Sequence, residues 1–402
     1  MPYKGTRIGS TAIRSKECSH LAVEALDRNL QLPIQGSLEK KTIFQALTGI
    51  AAQRLSIHSL GLTVEKVPCE TSFRHHLMKI DHISLEHVNH KILTNSSHAI
   101  LKSGKSYKFA IDYTLDPYYG EITKDNEEFV IKSRLQRSTT KFYSYATLYT
   151  ITRDQRVTLS VLPVRNGVSK VSYIAQFLNI IRDLGLIVEV LCLDRAFYAK
   201  KVFAFLQKAN IPHIVPVRRA GKEMKTLLKG RSSHRGSYTL KGKDAVTVEI
   251  VVKNIYQRGR RGKSGVKNLG YVVFGVSWNA DKVCNAYSSR FAIESSYRMR
   301  NEVRPRTCTR NPTIRYLFAI ISFMLKNIWL ALLWRYCSPL KRGPRTIDAR
   351  FFPFSRFRTM VWYDICHSLK LKLSFFDMSQ IKQLENMAVD FPKKGGGKLA
   401  KY

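Results

Sequence analysis

Residues Leu186 to Leu193 read LIVEVLCL, an apolar run broken by a single glutamate. A strand with apolar residues on both sides has to be covered on both sides, which puts helices on each face of a sheet. This short run therefore constrains the fold more than any other stretch of the chain. Its neighbours agree with it. Tyr107 to Thr114, Phe142 to Thr152, Arg156 to Val164 and His213 to Val217 also read as strands. The second and third of these form a hairpin turned at Arg153-Asp154-Gln155. Ser169 to Leu184 carries Val171, Ile174, Phe177, Leu178 and Ile181 on one face of a helix, and Phe197 to Asn210 is helical again. The order β-β-β-α-β-α-β predicts an α/β domain: a mixed five-stranded sheet with flanking helices.

Around this core the chain divides by pattern. Residues 1–36 read as a polar N-terminal arm. Residues 37–98 are helical, beginning with the apolar face Ile43, Phe44, Leu47 and Ile50. Within them, Pro68 to Ile80 is a short turn leading into a basic amphipathic helix capped by Thr71 or Ser72. Phe73, Leu77 and Ile80 form its buried stripe, and Arg74, His75 and Lys79 lie outside it. That pattern suits a helix-turn-helix reader of DNA, with Arg74 and Lys79 as candidate DNA contacts, and equally any small helical bundle. Residues 104–219 hold the first part of the sheet domain. Residues 220–280 are a β-rich basic insertion, with strands at Ala245 to Asn254 and Asn268 to Trp278 around a loop that carries Arg258, Arg260 and Arg261 as candidate DNA contacts. Residues 281–337 return to helix: one helix runs from Asn279 or Asp281 to Pro305, and a second, started by Asn311-Pro312, runs to Cys337. Residues 338–402 are a basic, aromatic segment ending in a Gly/Lys tail.

Two features bear on compartment. Tyr316 to Cys337 is long and apolar enough to span a membrane, but Lys326 and Asn327 sit at its middle, where a bilayer would charge a few kcal/mol for them. A buried core helix is expected, with no membrane partner. The seven cysteines are widely spaced, with no CxxC pair, and no apolar signal core follows Met1. Reduced thiols and a cytoplasmic protein, held at the nucleoid through DNA, are the expectation.

The chain carries 67 Lys and Arg against 29 Asp and Glu, a formal net charge of +38. Such a surface disfavours an ordinary metabolic enzyme and points to a polyanionic partner, nucleic acid first. It also makes acids scarce, so an acid in an apolar setting invites a reason. Asp112 sits inside YKFAIDYT, and Asp194 closes the buried run as LIVEVLCLD, with Arg195 after it. A strand-end Asp is often only a cap; it also marks places where a sheet opens to a ligand or metal. Glu294 lies on a helix with Tyr287, Arg290 and Arg298 on one face, a pattern that ordinary i, i+4 salt bridges also produce. Together, Asp112, Asp194 and Glu294 could hold two divalent cations, Mg2+ (or Mn2+), about 3.5–4 Å apart for chemistry on phosphodiesters. Asp116, Asp183 and Glu302 compete for the role. Asp116 would share the face of Asp112 if the strand continued, but Pro117 argues that it stops. Trp278 could stack on a flipped base, or serve as a core residue.

The segment Tyr287-Ser-Ser-Arg290-Phe-Ala-Ile-Glu294 resembles the Y-x2-R-x3-E signature of insertion-sequence DDE transposases. Arg298, four residues after the Glu, resembles the archaeal-type branch; the other branch has Lys seven residues after it, where this chain has Asn301. LDRAFY around Asp194 is similar to that family's DRGFY block, with Ala196 in place of Gly, and AIDYTLDPYYG around Asp112 is similar to its first Asp block. The resemblance runs from about Tyr107 to Asn311. It implies an RNase H-like core interrupted by a β-rich insertion, and a helical DNA-binding domain before it. It implies Asp112, Asp194 and Glu294 as catalytic metal ligands, and phosphate contacts from Tyr287, Arg290 and Arg298; Arg195, next to Asp194, is a further candidate for a phosphate contact. A contact made by Lys in the other branch would fall to Arg298 or Arg300. The function implied is a transposase acting on double-stranded DNA as a homodimer: it binds terminal inverted repeats, cleaves at the transposon ends and joins the 3′-OH to target DNA. An inactive transposase-derived DNA-binding protein and another two-metal DNA nuclease are the alternatives.

Overall fold

The computed structural model describes residues 12–36, 38–258, 264–338 and 345–372. Among them the strands are β1 (Ser106–Tyr118), β2 (Val130–Gln136), β3 (Thr139–Thr150), β4 (Thr158–Pro163), β5 (Ile187–Leu193), β6 (His213–Pro216), β7 (His234–Leu240), β8 (Val246–Arg258) and β9 (Ser264–Phe274). They form one mixed sheet in the order β2-β3-β1-β5-β6-β9-β8-β7, with β4 also paired to β3. β1 runs parallel to β5, and β5 to β6, whereas β3 is antiparallel to β1 and β4 to β3. The fold is therefore α/β, with the five expected strands at its centre. The insertion does not stand apart from them: β9 pairs antiparallel with β6 and carries the same sheet onward through β8 and β7. β2 and β7, both half-exposed, were not expected; their mixed polar sequences carry little apolar alternation.

The last four residues of β5 are all buried and alternate between two cores, as a two-sided strand requires. Leu191 and Leu193 join one core with Phe109 and Ile111 of β1, covered by α6 (Lys170–Asp183) and α7 (Lys200–Lys208), with Met224 of the short α8 (Lys222–Leu227) also in it. Val190 and Cys192 face the opposite core with Ala110, Ile214 and Val273, covered by α9 (Ala280–Ser288) and the start of α10 (Ala292–Glu302) through Val283, Tyr287 and Ile293.

A third core joins the first and last helices of the described residues. It combines α1 (Ser15–Asn29), α2 (Lys40–Gln53), α3 (Ile57–Thr63), α4 (Glu70–Met78), α5 (His82–Thr94), α11 (Pro312–Tyr336) and α12 (Phe354–Leu369). Residues 15–29 are thus not a polar arm. Cys18, Ala22, Ala25 and Leu26 give α1 a buried face, built mostly of small side chains that are weak as a hydropathy signal. The start of the basic aromatic C-terminal segment is likewise ordered: α12 packs on α1 and α2 through Phe357, Val361 and Ile365. α12 comes so close to α2 that a Cβ on Gly49 would meet Ile365 Cγ2 at 2.8 Å.

α11 is the one helix among the described residues with the length and hydropathy of a membrane span, and 94% of its apolar window is buried inside the protein. The two polar residues at its middle, Lys326 and Asn327, are both buried and bonded. Asn327 bonds the Thr158 N–H at 3.1 Å and C=O at 2.7 Å, and the Leu93 C=O at 2.9 Å. Lys326 Nζ donates to Tyr149 Oη at 3.3 Å and to the Arg156 carbonyl; burial lowers its pKa to about 7. α11 therefore clamps the edge of the sheet to the helical unit.

Candidate active site

β1 and β5 part company at one register position. The last paired residues are Ile111 and Leu193, and the next residue on each strand is an acid, Asp112 and Asp194. Both follow residues of the α9–α10 face, Ala110 and Cys192, two positions earlier, so alternation directs them to that side of the sheet. Asp194 turns into a 3-10 turn, Arg195–Phe197, which it caps by accepting from the Ala196 N–H at 3.2 Å. Ala196 needs no left-handed backbone there, so a glycine is not required.

The expected single helix carrying Tyr287 and Glu294 is in fact broken. α9 ends at Ser288, a 3-10 turn spans Ser289–Phe291, and α10 begins at Ala292. In that break Arg290 turns inward and is buried. Its Nη1 lies 2.7 Å from Asp112 Oδ2 and its Nη2 3.4 Å from Asp194 Oδ1, while Nε donates to Tyr287 Oη at 3.1 Å. One guanidinium thus bridges both strand-end carboxylates. Burial alone would lower the Arg290 pKa; Asp112, Tyr287 and Asp194 outweigh it and hold the group charged. Burial pushes the Asp112 carboxyl up to about 6; Arg290 opposes this, and the like charge of Asp194 adds to it.

Glu294 stands apart from this pair. It is exposed in the first turn of α10, though its charge is felt at Asp112. Among the described residues, no three His, Cys, Asp or Glu side chains are grouped closely enough to hold a metal ion. The two aspartates offer the hard oxygen donors that Mg2+ takes, but Arg290 fills the place between them. The donors fit such an ion in kind, and in this arrangement the guanidinium is the cation.

The remaining candidates are distributed around this centre. Arg195 is exposed beside Asp194, and Arg298 is exposed on α10, 3.4 Å from Ser295 Oγ. A cavity of about 350 Å³ opens at Asp194, lined also by Arg195, Arg219, Lys267, Tyr271 and Arg290 among others; Asp112 is not on its wall. Arg219 closes the first part of the sheet domain and Lys267 lies in the insertion; neither stands out in the sequence, because the pairing of β9 with β6 is what brings them together here. Tyr297 is a further neighbour: its Oη lies 2.6 Å from Oγ1 of Thr147, the residue opposite Asp112 on β3.

Asp116 corrects the expectation drawn from Pro117. β1 continues through Pro117 to Tyr118, because beyond Ile111 it has no β5 neighbour and proline is tolerated on such an edge. Asp116 is buried and takes a two-pronged contact from Arg300, 2.6 Å on each oxygen, with Arg304 also at 2.6 Å. Arg300 is therefore committed to Asp116 and is not a free phosphate ligand; of the two arginines considered, Arg298 is the exposed one. Glu302 pairs with Arg358 at 3.1 Å.

Three of the other candidate DNA contacts, Arg74, Lys79 and Trp278, are half-buried. α4 begins at Glu70, before Thr71 and Ser72, and its Arg74 pairs with Glu70 at 2.6 Å. Lys79 donates to Gln35 Oε1 at 2.8 Å. Trp278 is half-buried, with Lys108 Nζ 5.4 Å and Lys282 Nζ 4.4 Å from its ring, so both cations already occupy it. Arg258 ends β8, and Arg260 and Arg261 lie outside the described residues. No family model and no curated protein matches the chain.

Proposed function

We propose that the chain is a DNA transposase of an insertion sequence, with an RNase H-like core and a helical DNA-binding domain. The observation that carries the reading is the meeting of Asp112, Asp194 and Arg290 at the point where β1 and β5 diverge. These residues come from the three separate blocks that resemble the transposase family, with Asp194 82 residues after Asp112 and Glu294 100 after Asp194. The mixed five-stranded centre, with a β-rich insertion between β6 and the helix of Glu294, supports the same reading.

In this proposal Asp112 and Asp194, joined by Glu294, hold divalent cations once Arg290 gives way. Bound there, Mg2+ or Mn2+ supplies charge to activate the attacking hydroxyl and to stabilise the leaving oxygen. The chain's own residues do the rest. Arg290 moves from the carboxylates to a DNA phosphate, for which its fork is equally suited. Arg195, Arg219, Lys267 and Arg298 line the approach and hold the strand. A dimer on DNA brings two ends together.

The test is end cleavage. Purified protein is incubated with DNA carrying the inverted repeats that flank its gene, with and without Mg2+ or Mn2+, beside Asp112→Asn. Metal-dependent nicking by the parent and a loss of at least a hundredfold in the variant are expected; equal nicking by both would remove Asp112 from the chemistry.

A further inference from the structure

A second basic cavity lies along β1, away from Asp112. It encloses about 460 Å³ and is lined by Arg54, Arg304, Arg306 and Arg315, with Tyr119 and Phe318 among the apolar residues. It sits where the helical unit meets the sheet domain: Arg54 closes α2, and the Arg306 N–H donates to the Leu55 carbonyl at 2.9 Å. Asp116, on its wall, is four residues from Asp112, which is about 13 Å along a strand or about four base steps of duplex.

The arginines here are not equivalent. Arg304 is paired with Asp116 at 2.6 Å. Arg315 donates to the Thr309 carbonyl at 2.6 Å and lies over the Tyr118 ring at 4.9 Å. Arg54 and Arg306 are exposed, and among the described residues neither makes an ion pair. Burial, with Arg304, Arg306 and Arg358 close by, lowers the Arg54 pKa, and Glu302 only partly offsets them. The cavity thus gathers more positive charge than its own carboxylates balance. Beside the free guanidinium groups it offers an aromatic ring, Tyr119, which is 64% exposed. Guanidinium forks match phosphate oxygens, and an exposed ring accepts a planar base.

We propose that this cavity binds one unstacked nucleotide of a DNA strand, its phosphate on Arg54 and Arg306 and its base against Tyr119. The inference rests on the reading of the chain as DNA-binding but not on cleavage, so the two can fail separately. It also assigns the junction of the two units a role in grasping the strand beyond the reaction centre.

The test uses the full chain and two labelled duplexes of the same sequence, one blunt and one with a three-nucleotide single-stranded overhang, at one salt concentration. The parent is expected to bind the overhang duplex about tenfold more tightly. Arg54→Asn with Arg306→Gln removes two charges without touching the Asp116 cluster, and asparagine tolerates the left-handed backbone of residue 54, φ 55°. That variant should bind both duplexes alike, and Tyr119→Ala should lose about threefold or more on the overhang only. Lys201→Gln with Lys208→Gln removes two exposed charges on α7 and should weaken both duplexes equally, leaving the overhang preference intact. If the arginine variant also weakens both equally, or the parent shows no overhang preference, the cavity is not a nucleotide site. Competition by a free deoxynucleoside monophosphate as effective as the overhang strand would overturn the assignment to a strand. Absence of binding to either duplex would overturn the DNA reading itself.

Discussion

Asp112 and Asp116 lie on one face of one strand, and their surroundings drive them in opposite directions. Burial would raise both. At Asp116, Arg300 and Arg304 overcome it and hold the carboxyl at about 2, whereas at Asp112 burial and Asp194 prevail over Arg290 and the value is about 6. The consequences for stability have opposite signs. Asp116 lies below the ordinary 3.8, so its ion pairs stabilise the fold above that pH and fade as pH falls towards 2. Asp112 lies above 3.8, so its favourable share is complete below that pH and is lost as pH rises through 6. The loss is on the order of 2–3 kcal/mol. Urea midpoints measured from pH 4 to 8 should therefore decline for the parent and stay flatter for Asp112→Asn; parallel declines would show that Asp112 does not titrate in this window. Asp112, Asp194 and Arg290 could each be read as special from local sequence. Their bridge could not, because it depends on a break in the helix after Ser288 and on the register of β1 with β5.

At the scale of elements, periodicity worked where side chains were large. The apolar faces of α6, α7 and α11 and the two-sided run of β5 were all legible because each presents bulky residues at the right spacing. α1 is not legible because its buried face is mainly small side chains (Cys18, Ser19, Ala22 and Ala25), and α12 because aromatic and basic residues alternate around it. Asn327 shows how a polar residue can specify a helix position. Its amide completes three backbone groups on β4 and α5, so it fixes how far α11 slides against them. Asn327→Leu keeps the volume but orphans those groups and should cost about 1–3 kcal/mol of stability. Chemical denaturation should show this as a lower midpoint with an unchanged slope, and an unchanged midpoint would mean that solvent or a neighbour takes over those bonds.

The molecule as a whole carries +38, and its described cavities concentrate that charge. Binding to duplex DNA should therefore weaken steeply with salt, as condensed counterions are released. A plot of log affinity against log salt should have a slope of magnitude about 6 or more, and Arg298→Gln should reduce it by about 1. A slope near zero would mean that the charge serves something other than a phosphate backbone. The sequence by itself determined the α/β class, the strands of the central sheet, the basic character and the acids worth asking about, since hydrophobic periodicity and net charge are properties of the chain. Only the tertiary structure decided that β1 runs past Pro117, that the insertion extends the sheet, that α1 and α12 share one core, and that Arg290 links Asp112 to Asp194. Those outcomes depend on which edges pair and which faces meet, and such non-local choices are made by packing after the local patterns are already set.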